Sequence, residues 1–265
     1  MWYTSVKEKP PLCGASGGYR MKEKMGSLPV TAAALVCALL GLSLRAAGRS
    51  GGAGALIAVS ACVTLAAAVY ALLAQKERDY ACVFEKSLFD AAASCLGALL
   101  IGVGCALEAL NGAGAGRYIA VLGALSALAL IRAAALRWAG RKPGAGWFAP
   151  MIVYYLAKLF FDYRQWMLDP AILDYCFMLF AMLLFLLASY YAAVFSFDRG
   201  GRRMLLFSAA GGVYFGAVSI PGADLAHTLL FVGSILCLLA YLWQAATVKT
   251  PAPEEPAQPD APEGK

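Results

Sequence analysis

WFAPMIVYYLAKLFFDYRQW, Trp147 to Trp166, places Lys158, Asp162 and Arg164 inside an otherwise apolar run framed by two tryptophans. The tryptophans stand 19 positions apart. A helix of that length measures about 28 Å, close to the roughly 30 Å of a bilayer's hydrocarbon core, and tryptophan favours both membrane interfaces. The stretch is therefore predicted to be a membrane-crossing helix in spite of its charges. Leaving it out would give seven spans and put the loop with Arg199, Arg202 and Arg203 on the outer face, against the retention of Lys and Arg on the cytoplasmic side.

The flanking sequence supports that reading. Of 265 residues, 61% are hydrophobic and 14% charged, with a mean hydropathy of +0.68; soluble domains are nearer 45 to 50% apolar. Apolar runs of bilayer length predict eight helices, at about 28–47, 54–74, 89–110, 117–138, 147–166, 170–197, 203–220 and 224–246. The expected fold is all-α: a polytopic transmembrane helical bundle filling 28–247. Residues 1–27 are read as a disordered cytoplasmic segment and 248–265, acidic and Pro-rich, as a disordered cytoplasmic tail. Three helix starts carry local signals: Ser87-x-x-Asp90 as a capping box, Asp169-Pro170 as a cap followed by proline, and Pro221-Gly222 punctuating the turn before Asp224.

Loop charge sets the orientation. Lys7, Lys9, Arg20, Lys22, Lys24, Lys76, Arg78, Lys86, Arg137, Arg141, Lys142, Arg199, Arg202, Arg203 and Lys249 fall on the side of the termini, against Arg45, Arg49, Arg117 and Arg164 opposite. Both termini are predicted cytoplasmic. The net charge of +6 is spread between apolar segments rather than gathered on one face, which argues against a nucleic-acid partner. The bilayer is the expected partner. The eight cysteines form no C-x-x-C pair and mostly lie in apolar runs, so neither disulfides, metal nor cofactor is inferred. Ser208, Gly212 and Gly216 repeat every fourth position, read as close helix packing within the chain in preference to a homodimer face.

Charge in hydrocarbon costs about 2.5 to 3.5 kcal/mol per residue on insertion scales. Lys158 is placed near mid-bilayer, and Asp162 lies one turn further out on the same face, where the two can pair. Tyr154 and Tyr155, a turn below, are placed to hydrogen-bond Lys158. Other ionisable residues reach a similar depth: Glu108, Asp174, Asp224 and His227. The candidate ligand-binding residues are thus Lys158, Asp162, Asp174, Glu108, Tyr154, Tyr155 and His227. They would form an outward-facing polar pocket for a small-molecule or ion ligand. Lys158 would hold an anionic group, or the carboxylates would take part in cation or proton binding. Transport and sensing both fit. The competing reading makes Asp169 and Asp224 helix caps and Lys158–Asp162 a neutralised pair in a non-catalytic structural or interaction component. No P-loop, dinucleotide fingerprint, H-E-x-x-H or G-x-S-x-G occurs, so catalysis has no motif behind it.

FDYRQWMLDPAILDYCFMLFAMLL, Phe161 to Leu184, followed by SFDRGGRRMLLF, resembles a pattern in uncharacterised multi-spanning membrane proteins of clostridia-like bacteria, across about a quarter of the chain. The resemblance implies a bacterial cytoplasmic (inner) membrane and no particular chemistry.

Overall fold

The computed structural model describes residues 20–47, 53–74, 80–84, 86–112, 114–167 and 172–247, and these are all-helical apart from their connections. Eight long helices fall where the apolar runs placed them: α1 (Arg20–Ala47), α2 (Ala53–Leu73), α4 (Leu88–Asn111), α5 (Ala115–Trp138), α6 (Ala149–Trp166), α7 (Ile172–Phe195), α8 (Arg202–Ser219) and α9 (Leu225–Ala246). A single turn, α3 (Tyr80–Val83), precedes α4. Helix α1 begins at Arg20, so the helical part starts ahead of the expected residue 28. The tail 248–265 and the Asp169-Pro170 cap lie outside the described residues.

Seven of the eight are long and apolar enough to cross a membrane; α6 falls short by composition. Its position in the bundle explains why. Met151 shares a cavity with Tyr241, Tyr155 bonds Ser234, and Asp162 faces His227, so partner numbers on α9 fall as those on α6 rise. Against α5, Tyr154 lies beside Gly123 and Phe161 beside Gly116. Helix α6 therefore runs antiparallel to α5, its neighbour, and to α9, which it faces across the bundle. It turns Met151, Tyr154, Tyr155, Lys158 and Asp162 inward, each at most 2% exposed. Lys158 and Asp162, two of the three charges that lower its hydropathy, face protein, whereas Arg164 is exposed.

Six helices close a ring in the order α4, α5, α6, α7, α8, α9, with α9 packed back on α4. Helices α1 and α2 lie outside it, mainly on α8. This arrangement does not repeat the first half of the chain in the second. The outer faces keep large apolar side chains in the open, among them Leu65, Leu73, Leu99, Leu110 and Leu128. Exposed apolar surface on that scale needs a partner or a lipid.

Small residues set the closest crossings. Gly212 abuts Leu238 of α9, and a Cβ at Gly216 would meet Phe185 at 2.9 Å and Ile235 at 3.1 Å, so the expected stripe does pack within the chain. Tighter still is α4 against α9. A Cβ at Gly97 would stand 2.5 Å from the Gly233 carbonyl oxygen, and one at Gly233 equally 2.5 Å from that of Gly97. Backbone cannot swing aside as a side chain can. Gly97→Ala should therefore destabilise the detergent-solubilised protein by about 1 to 3 kcal/mol, the cost of overpacking. Gly54→Ala, where nothing lies within 4 Å of the new Cβ, should cost nothing in the same thermal melt. Equal melting temperatures for the two variants would refute this crossing.

The end of the bundle bearing Lys86, Arg137, Lys142 and Arg202 is here called the basic end. Its arginines mostly serve protein. The Arg202 Nε donates to the Ala245 carbonyl at 2.7 Å and the Arg203 Nε to that of Ala74 at 2.9 Å, closing the carbonyl ends of α9 and α2. Asp198, in the left-handed region at φ 54°, accepts from Lys142 Nζ at 2.6 Å and from the Tyr80 N–H at 3.2 Å, tying three connections together. The Lys142 ammonium holds that carboxyl below the usual carboxylate range.

Candidate functional site

At the opposite end, α4, α6 and α9 bring four of the expected residues into one network. Lys158 sits mid-way along α6 with its side chain 1% exposed. Its ammonium donates to Glu108 Oε1 at 2.5 Å and pairs with Asp162 Oδ1 at 3.2 Å. Glu108 belongs to the last turn of α4 and keeps 20% of its side-chain surface open. Two carboxylates thus occupy the only buried ammonium here, which leaves an anionic ligand no obvious place.

The network continues through His227 in the first turn of α9. Asp224 is the N-cap of that helix, as the competing structural reading had it, and accepts from the His227 backbone N–H at 3.2 Å. The same carboxyl bonds His227 Nδ1. On the far side of the ring, Nε2 faces Asp162 Oδ2 at 3.6 Å, and neither of these two buried atoms has a hydrogen-bond partner among the described residues. Both ring nitrogens therefore point at carboxylate oxygens. A neutral imidazole carries one N–H and can donate to only one of them; the imidazolium donates to both. Asp224 itself is held below the usual carboxylate range: burial resists its ionisation, and His227, through its ring and its backbone N–H, outweighs that.

Comparison with family models, with curated proteins and with solved structures finds no match.

Three expectations are corrected. Tyr154 and Tyr155 do not bond Lys158: the Tyr154 hydroxyl accepts from Cys105 Sγ at 3.3 Å, and the Tyr155 hydroxyl bonds Ser234 Oγ at 2.6 Å. Because Ser234 spends its own proton on the Leu230 carbonyl, Tyr155 is the donor in that pair. Ser87 occupies the N-cap position of α4, but its side chain makes no capping bond. Asp90 is correspondingly no capping partner. It is 1% exposed and pairs with Arg137 Nε of α5 at 3.0 Å. The Asp174 side chain lies outside the described residues.

That second ion pair, at the basic end, is what sequence reasoning missed. Arg137 also donates from Nη2 to Ser94 Oγ at 2.8 Å and lies 5.3 Å over the ring of Tyr241. A signal existed. Asp90, Ser94, Gly97, Ile101, Cys105 and Glu108 recur at three- and four-residue intervals, one helical face that apart from Ile101 is made of small, polar and acidic residues. Among the described residues, no group of His, Cys, Asp and Glu is arranged to hold a metal ion.

Proposed function

We propose that the chain is a multi-pass protein of a bacterial cytoplasmic membrane, with eight spans and both termini cytoplasmic, that binds a proton from the outer face at the His227 network in the course of transport or sensing. The observation that carries this reading is the imidazole held between Asp162 and Asp224, two acceptors that only its charged form can satisfy together. Around it stand three carboxylates, Glu108, Asp162 and Asp224, and one permanent cation, Lys158. With three carboxylates against one ammonium the site is net negative, and it stays so, less strongly, once the ring charges, which favours uptake of a proton over capture of an anion. Asp224 and Glu108 are open enough to let it in. The exposed apolar faces and the concentration of Lys and Arg at one end support the membrane and its polarity.

His227 is the sole histidine, so the ring can be watched directly. In 15N-histidine-labelled, untagged protein in nanodiscs, the ring nitrogens should pass between imidazolium and one neutral tautomer inside the pH window over which the protein stays folded, as a histidine switch does. Asp162→Asn should move the midpoint by about one pH unit or more, since one unit equals 1.36 kcal/mol of differential interaction. A ring in a single charge state across the window, or a midpoint indifferent to Asp162, would refute the site. Competition by sodium or potassium would redirect the reading to a metal cation.

The second reading, a structural component of a membrane complex, is favoured by the saturation of Lys158 with two carboxylates.

A further inference from the structure

The two ion clusters lie at opposite ends of the same ring, and the space between them is neither fully packed nor apolar. Tyr155 of α6 and Ser234 of α9 bond across the ring at 2.6 Å. Beside them lies a cavity of about 10 Å³ whose polar lining comes from Tyr155, Ser189, Ser234, Cys237 and Tyr241. That volume is at the lower bound for one water molecule, and a buried water needs two to four polar partners, which these side chains supply. Tyr241 leads on from the cavity to Arg137, whose guanidinium covers its ring, and Cys237 Sγ reaches the Ser94 carbonyl at 3.7 Å. At the end of the line, Asp90 Oδ1 and Arg137 Nη1 are buried with no hydrogen-bond partner among the described residues. Besides Arg137, the titratable groups near Asp90 are Tyr80, Cys237 and Tyr241.

We propose that the interior of this ring is a proton path, with Asp90 as a second station joined to the His227 network by the Tyr155–Ser234 pair and one water in the cavity. The inference rests on the proton-binding reading of the outer site. A proton passed from the His227 imidazolium to Asp162 crosses one turn of α6, from Lys158 to Tyr155, which spans about 5 to 6 Å between Cβ atoms and requires a water or a swing of the ammonium. The Tyr155 oxygen takes it up while passing its own proton to Ser234. Ser234 turns its hydroxyl from the Leu230 carbonyl to the cavity water, and the water relays through Tyr241 to the Asp90 carboxylate. Each hydroxyl gives one proton and receives one, so the only net change is the proton lost at the outer site and gained at Asp90, whose release of it at the basic end requires the buried Asp90–Arg137 pair to open.

The full chain in liposomes of phosphatidylcholine and phosphatidylglycerol, holding a pH-sensitive dye and driven by a potassium diffusion potential through valinomycin, tests this. Wild type should carry protons faster than protein-free liposomes. Tyr155→Phe removes a single oxygen and leaves the ring's packing, and it should slow the flux by about a hundredfold, the lower end of what a positioned proton-transfer group contributes. The double replacement Asp90→Leu with Arg137→Met avoids stranding a buried charge and should do the same. Wild-type flux equal to that of empty liposomes, or Tyr155→Phe at the wild-type rate, would overturn the path. Where the His227 titration survives such a result, the path alone falls; where the titration is missing as well, the outer site falls with it.

Discussion

Lys158→Met should be among the most damaging single changes in the chain, lowering the stability of the protein in detergent or nanodiscs by about 3 to 5 kcal/mol, as breaking a buried ion pair from one side does. The ammonium it removes is the only permanent cation between Glu108 and Asp162. Asp162 suffers more than Glu108. Its side chain is 3% exposed against 20%, so water can still reach the glutamate but not the aspartate. That difference orders a series. Adding Asp162→Leu to Lys158→Met should recover much of the loss, because the stranded charge goes with its partner, and adding Glu108→Gln should recover most of the rest. The order would run single, double, triple from worst to best, opposite to the sum of independent contacts. A Lys158→Met protein as stable as wild type, by steric-trap unfolding or thermal melt, would mean that water fills this part of the ring.

The series also separates the two readings of the site. If the ion pairs only hold helices in register, the triple variant keeps everything the protein does. If His227 exchanges a proton under the control of Asp162, the triple variant folds yet has lost one of the ring's two acceptors, and its titration moves. Stability and titration then part company.

The eight long helices could be read from sequence because each had to satisfy its backbone within an apolar run, and such runs contrast sharply with the loops. Even α6, the least apolar, was betrayed by Trp147 and Trp166 at bilayer spacing. The site opposite the basic end was equally legible in part: Glu108, Lys158, Asp162 and His227 stand out in the sequence as charge or potential charge within apolar runs. Their partners were not. Which neighbour Tyr154 or Tyr155 bonds depends on the rotation of α6 against α4 and α9, and one sequence holds no record of it. Asp90 was misread for a general reason. An acid in the first turn of a helix satisfies a capping rule whatever it faces, so local pattern and tertiary pairing compete for the same residue, and only the packing of α5 beside α4 decides. Arg137 was hidden likewise by the rule that basic residues at helix ends mark the cytoplasm. The peripheral placement of α1 and α2 had no sequence signal, since exposed and packed Ala and Leu look alike in such runs.

Arg137→Met should cost at least as much as Lys158→Met, because here neither member of the pair has water to fall back on: the side chains are 5% and 2% exposed. Asp90 would be left 1% exposed with only Ser94 near enough to serve it, and about 3 to 5 kcal/mol is the expected penalty. Asp90→Leu should be comparably harmful from the other side, stranding a guanidinium that keeps only Ser94 Oγ and the face of Tyr241. The double replacement is the decisive measurement. With both charges gone and two apolar side chains of similar bulk in their place, stability should return to within about 1 to 2 kcal/mol of wild type, since desolvating a buried pair offsets most of what its attraction returns. A double-mutant cycle would then give a coupling energy of several kcal/mol between α4 and α5, far above the roughly 0 to 1 kcal/mol of exposed pairs. Additive losses would contradict a dry pair. Retained stability with lost proton flux in that same double variant would show that the pair persists in the chain for what it conducts, because the fold does not need it.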